Sequence, residues 1–431
     1  MKQCLGASIQ MNIMMSFECE SCGESTNCRV GMSNRAEQPL RFCCPDCGQP
    51  IDVAIGGNNS GVSGAVEVEA VGPFDDKTNF VDLHLDFPVH FGKYVMGDTP
   101  FMRAVSRIGA DNFQIHSARL QQLDATYTTF GFFETILKFY IRERWVPFRN
   151  GIEKRFGSTV VSDKMQDRNA ALYDAIAMMM WPFARPGQAH EDIEQYMQVQ
   201  MHLSKTHNQA FHAFIDEILD TGFLKNLQVA CLGIYPRILK AELALRPALF
   251  LDFDAEYQDH ATPMRVSADQ FDSFKDLYKD ISEIISRQFV LVAGLNNLLK
   301  RGHHNTFMPE IGLTRAGKDL TPKSLNAFAN LAFGQKEDYL DDNWFSFADQ
   351  AADNQLRNAI AHYKTEYDDI TQKITYYPRK EGMRQEKSEE IYFLEFMRRV
   401  LVAYREMNRL HQLIKSLFYY HYLIHAAENT G

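Results

Sequence analysis

The chain has 431 residues, of which 45% are hydrophobic and 12% aromatic, with a formal net charge of −10. That length and apolar content suffice for two or three packed domains and exclude a disordered chain. The acidic balance argues against a broad basic surface that coats nucleic acid through many phosphates. It is uneven, however. Residues 268–431 carry 23 acidic and 21 basic side chains, so a local basic cleft that captures a short single-stranded segment remains compatible. No apolar stretch reaches the roughly 18 residues of a membrane span, and no membrane partner is expected. The start, Met1 to Met15, lacks the apolar block and cleavage site of a secretory signal, so a cytoplasmic protein is expected.

The first element is a cysteine framework: Cys19-x2-Cys22, then Cys43-Cys44-x2-Cys47. Glycine follows each second cysteine, at Gly23 and Gly48, and permits the tight turn that aims backbone N–H groups at thiolate sulfur. Cys19, Cys22, Cys44 and Cys47 therefore have the spacing of a four-thiolate zinc ribbon. Cys43 is an alternative to Cys44 as ligand, and Cys28 is a bystander. Four thiolates leave no open position for water, so the expected cofactor is structural Zn2+. The expected ribbon covers residues 1–55. A flexible linker follows over 56–83, with Gly56 to Gly64 at its head and a strand-like stretch at Val66, Val68 and Ala70.

From about Leu83 the pattern turns helical, and residues 84–267 read as a helical middle region. A long helix is expected over Ile115–Tyr140, with Ile115, Leu120, Leu123, Tyr127, Phe130, Ile136, Leu137 and Tyr140 as core positions. Further helices are expected over about Ser162–Met180, His190–Ser204, Asn208–Leu219 and Tyr235–Leu245. Asp252 and Asp254, and the pair His303-His304, are weak candidates for metal ligation. Four helices are expected in residues 268–431. The first runs from about Ala268 to Leu299. The second starts with Thr321 as N-cap and Pro322 at the first turn. The third spans about Phe345–Asp368, and the fourth about Glu389–His425. Between the last two, Ile374, Tyr376 and Tyr377 followed by Pro378 and Gly382 suggest a hairpin or extended excursion.

The third of these helices carries the chemistry. Asn358 and His362 are four residues apart and share a face, and the long Arg357 side chain can swing onto it. Leu356, Ile360, Tyr363 and Tyr367 have the spacing of a buried stripe on the other side. A guanidinium grips phosphate with paired hydrogen bonds, and an imidazole moves protons near neutral pH. Arg185 and His190 have the same spacing, but Pro186 and Gly187 between them place that pair in a loop.

The run Arg357-Asn358-Ala359-Ile360-Ala361-His362 resembles the signature of the HEPN superfamily, whose members are helical bundles and often metal-independent endoribonucleases. The resemblance covers about Ala268–Gly431. It implies a mainly α chain with a C-terminal HEPN-like bundle, a helical middle region and the small N-terminal ribbon. It also implies an RNA substrate, with Arg357, Asn358 and His362 as the catalytic residues. The resemblance further suggests a toxin or antiviral defence effector, held in check by a regulatory element or trigger protein for which residues 84–267 are the place to look. Lastly, it implies a symmetric homodimer that pools two motifs. A monomer would need a second acid or base from its own chain, His411 or Tyr363. A non-catalytic scaffold that binds RNA or protein is the alternative reading. No nucleotide-binding glycine loop or serine-hydrolase elbow is present.

Overall fold

The computed structural model describes residues 12–58, 60–70, 74, 77–186, 191–259, 262–312, 319–341, 344–348, 351–379 and 387–426. Gly187, His190 and Gly382 lie outside these. The chain is mainly helical, with a small N-terminal β region that contains the cysteine cluster. It divides into two compact units. The first comprises residues 1–128, 240–276 and 358–401, and the second 129–239, 277–357 and 402–431. Residues 268–431 thus contribute to both.

The first unit holds the sheets. Strands β1 (Asn12–Cys19) and β2 (Ser25–Gly31) form an antiparallel hairpin, as do β3 (Gln38–Cys43) and β4 (Pro50–Ile55). Within the stretch expected to be a linker, the strand-like signal at Val66 and Val68 is β6 (Ala65–Val68) beside β1, and two further strands form: β5 (Gly61–Ser63) beside β4, and β7 (Asn79–His84) parallel to β2. Turn-rich composition at 56–64 marks the bend between β4 and β5, whereas the partner of β7 is distant in sequence and leaves no local signal. Phe17, Val30, Leu40, Phe42, Ile51, Val53, Val81 and Leu83 meet in one apolar core. The expected ribbon therefore borrows core from residues beyond 55.

Short strands β8 (Val89–His90) and β9 (Met264–Arg265) pair with each other. The helix Pro100–Tyr127 follows β8, bends at Gly109 (φ +75°), and stops. A new helix, Phe130–Ile141, begins in the second unit. The single helix expected over Ile115–Tyr140 is thus two. In the first of them Leu120 and Leu123 are buried, whereas Ile115, about 140° round the helix from Leu120, and Tyr127, at its last residue, are exposed; in the second Ile136, Leu137 and Tyr140 are buried. The Tyr127 ring instead stacks on the Arg35 guanidinium, 3.7 Å away.

Buried ion pairs tie the first unit together. Arg29 holds Asp82 through two hydrogen bonds of 2.8 and 2.9 Å, and Arg103 reaches the same carboxylate at 2.7 Å. Arg246 bonds both Glu242 and Asp86, the latter at 2.6 Å. The guanidinium of Arg246 holds the Asp86 carboxyl below the usual carboxylate range, against the opposing effect of burial. Asp252 and Asp254, weak metal candidates in the sequence, are committed to arginines: Asp252 to Arg119 and Arg398, Asp254 to Arg107.

Helices make up the second unit. The helix Lys275–Arg301 crosses into it at Leu277. It runs close against neighbouring elements: a Cβ on Gly294 would fall 2.5 Å from the Phe214 ring. The expected N-cap at Thr321 moves to Ser324, whose hydroxyl accepts from Ala327 N–H at 3.1 Å, and the helix Leu325–Ala329 is short. Thr321 is drawn into other bonds, its amide to Asp319 and its hydroxyl to the Pro309 carbonyl. His304 is buried and bonds Glu217 at 2.8 Å, a structural contact. Among the described residues, no helix is long and apolar enough to cross a membrane.

Candidate functional site

Two sites follow from the residues. The first is the cysteine cluster. β1 ends at Cys19, and the turn closes with Gly23 N–H on the Cys19 carbonyl at 2.9 Å. The second turn repeats this geometry, with Gly48 N–H on the Cys44 carbonyl at 2.9 Å. Both glycines have positive φ, +75° and +76°, a backbone that side chains resist. The turns bring Cys19 Sγ to 3.6 Å from Cys47 Sγ, and Cys22 Sγ to 3.6 Å from Cys44 Sγ. All four sulfurs lie within 4.8 Å of one another. A tetrahedral ion with metal–sulfur bonds of about 2.3 Å would set such sulfurs roughly 3.8 Å apart, so the donor set can hold a metal ion.

Backbone amides of Cys22 and Ser21 and the thiols of Cys47 and Cys22 aim at the Cys19 sulfur. They outweigh burial and bring its pKa down to about 7. Cys44, not Cys43, is the fourth donor. Cys43 is buried at the end of β3, and that burial pushes its pKa up to about 11. Cys28 is wholly buried, and burial raises its pKa as well.

The second site is the motif. Its helix spans only Asn354–Ala361, not Phe345–Asp368. Asp353 starts it, its carboxylate accepting from the Gln355 and Leu356 amides at 2.8 and 3.0 Å. Leu356, Ala359 and Ile360 are buried. The end is a Schellman turn: Tyr363 N–H bonds the Ile360 carbonyl and Lys364 N–H bonds the Ala359 carbonyl, at 3.2 and 2.8 Å. His362 is the C-cap, and Tyr363 takes the left-handed position with φ +57°. That position suits glycine and costs a tyrosine about 1 kcal/mol or more.

Tyr363 was expected on the buried stripe, yet it is 91% exposed. Tyr367 is also off the helix. It lies on β10 (Thr365–Asp368), which pairs with β11 (Lys373–Tyr376), itself paired with β12 (Glu389–Tyr392). The hairpin signal at Ile374 and Tyr376 was legible, but its first strand captured the tail of the expected helix. The last helix loses its first turn to β12 and runs Phe393–Tyr420.

Arg357 is partly exposed, and Asn358 and His362 are exposed. The Arg357 guanidinium reaches Glu283 at 2.5 Å. His411, one possible second acid or base, is unsuitable. It is fully buried between the hydroxyls of Tyr173 and Tyr235, at 3.1 and 2.6 Å. Burial drives its pKa down to about 3, so it stays neutral and sealed from solvent.

Sequence reasoning missed a groove of about 600 Å3 in the first unit, lined by Tyr363, Tyr367, Phe271, Arg41, Gln270 and Lys275 among others. Its signal was the polar, aromatic alternation at 363–367, which reads equally well as a helix. Comparison with protein-family models, curated proteins and solved structures finds no match.

Proposed function

We propose that this protein is a metal-independent endoribonuclease of the HEPN type, with a structural zinc ion in its ribbon. The observation that carries the reading is the trio Arg357, Asn358 and His362, the first two on one short helix and the third just past its end, while Leu356, Ala359 and Ile360 on the other side are buried. Asn358 and His362 are exposed and Arg357 is partly exposed. RNA supplies its own nucleophile, the 2′-OH beside the scissile phosphate. His362 acts as base on that hydroxyl or as acid on the departing 5′-oxygen. Arg357 binds the non-bridging oxygens and stabilises the charge that grows on them. Asn358 orients the phosphate or the imidazole. Glu283 holds the guanidinium until a phosphate replaces its carboxylate.

The products are a 2′,3′-cyclic phosphate and a 5′-OH. Purified protein incubated with total RNA in excess chelator is expected to yield these ends, while DNA of the same sequence stays intact. Ends bearing 5′-phosphate, or cleavage of DNA, would refute the mechanism. A growth-arresting toxin or defence effector is the biological role we propose for such an enzyme.

The acid and the base come from two copies of the chain. Each motif has one histidine, and the burial of His411 removes one internal substitute. A two-fold axis beside the motif helix would bring Arg357 and His362 of both copies to one cleft. Mixing Arg357→Ala chains with His362→Ala chains is expected to restore part of the activity that each variant lacks. A protein that cuts at full rate while monomeric in light scattering would rule this arrangement out.

A further inference from the structure

We propose that Tyr363 is a stacking platform for an unpaired RNA base, and that the groove beside it holds that base next to the cleavage site. The proposal rests on the ribonuclease reading above and names how its substrate is gripped. Tyr363 combines two features that folding does not favour. It occupies a left-handed backbone position, φ +57°, where glycine would close the same turn without strain. Its ring is 91% exposed, so burial does not repay that strain. A residue kept in such a conformation points to a role outside folding.

The surroundings fit a nucleobase. Phe271 and Tyr367, whose ring centroids are 5.9 Å apart, are among the residues that line the groove with Tyr363. Its charges come in both signs: Arg41 and Lys275 are offset by Asp272 and Asp369. A near-neutral, aromatic groove suits the flat face and polar edge of a base better than a bare phosphate. The Gln270 amide, whose oxygen accepts from Arg41 at 3.2 Å, and the Asp369 carboxylate also line the groove, where an amide N–H and a carboxylate oxygen can meet the edge of the base. Tyr363 directly follows His362, so a base stacked there leaves the adjoining phosphates beside the imidazole. Arg41 lies on β3 and Pro50 opens β4, so the ribbon forms one wall and shares in recognition.

The test is binding, measured apart from cleavage. A 5′-labelled single-stranded RNA 12-mer is titrated by fluorescence anisotropy against full-length His362→Ala protein, alone and combined with Tyr363→Phe, Tyr363→Ala or Tyr363→Gly. Tyr363→Phe is expected to bind within about twofold of the parent, and the Ala and Gly variants about tenfold more weakly. Tyr363→Gly is expected to melt at a higher temperature than the parent, because it relieves the strained turn. Weaker binding in a more stable protein cannot come from misfolding. Unchanged affinity in Tyr363→Gly overturns the proposal, as does an equal loss for the same sequence as a duplex, whose bases are already stacked. The nuclease reading fails separately, by absence of cleavage in the wild type, whatever Tyr363 does to affinity.

Discussion

Replacing His362 with alanine is expected to lower RNA cleavage by about 10²-fold or more, the usual contribution of a general acid or base. Its melting temperature should stay near that of the parent, because the side chain is exposed and the turn is held by the backbone bonds of Tyr363 and Lys364. Arg357→Ala should cost as much in rate. Its stability loss should also be small: the pair with Glu283 is partly exposed, with side chains 28% and 53% accessible, and such pairs contribute about 0–1 kcal/mol. Arg357→Lys should not restore the rate, since an ammonium cannot offer two parallel donors to the phosphate. Ile360→Asp is the contrasting control. Ile360 is 6% exposed, and a carboxylate there should disrupt the packing of the motif helix, at a cost of several kcal/mol. Near-wild-type cleavage by His362→Ala would remove it from the mechanism. A large fall in its melting temperature would show that the residue serves the fold.

What could be read in advance depended on how local each feature is. The four cysteines were legible because a knuckle is a five-residue turn, and the glycine after it fixes the backbone. The inward side of the motif helix was legible through Leu356 and Ile360. Its end was not. A Schellman turn normally carries glycine, and a tyrosine at that position gives no stop signal. Thr365 to Asp368 could continue a helix on paper, and only pairing with Lys373–Tyr376 makes it a strand. The same holds for β7, whose partner lies far away in sequence, while β6 was marked by Val66 and Val68. Segmentation was the least legible, because each compact unit collects three separate stretches of chain. The groove at Tyr363 escaped for that reason: its lining comes from residues 41–50, 270–275 and 363–369.

Removing the metal should have the largest effect on the ribbon and almost none on the helical unit. Elemental analysis of protein purified without chelator is expected to give one zinc per chain, and finding none would refute the assignment. Binding to four thiolates contributes on the order of 10–16 kcal/mol in small zinc modules, which are unfolded without the ion. This ribbon differs in one respect. Its strands share a core with Val81, Leu83 and Ala268, so burial should hold part of the sheet once the ion is gone. Thiol labelling separates the two contributions. After chelation, Cys19, Cys22, Cys44 and Cys47 should react with a thiol probe, while Cys28, fully buried between β1 and β7, should stay protected until denaturant is added. Helical circular dichroism should change little, because the described strands all lie in the first unit and helices make up the second. Cys22→Ser should behave like chelation. Acidification should release the ion as well, since protons compete for the thiolates, and labelling performed at neutral pH after the released ion is removed would show the same four thiols. If Cys28 reacts together with them, the ion holds the whole sheet and the shared core contributes too little to stand alone. If none of the four reacts after chelation, the cysteines are held by packing and the metal site is refuted.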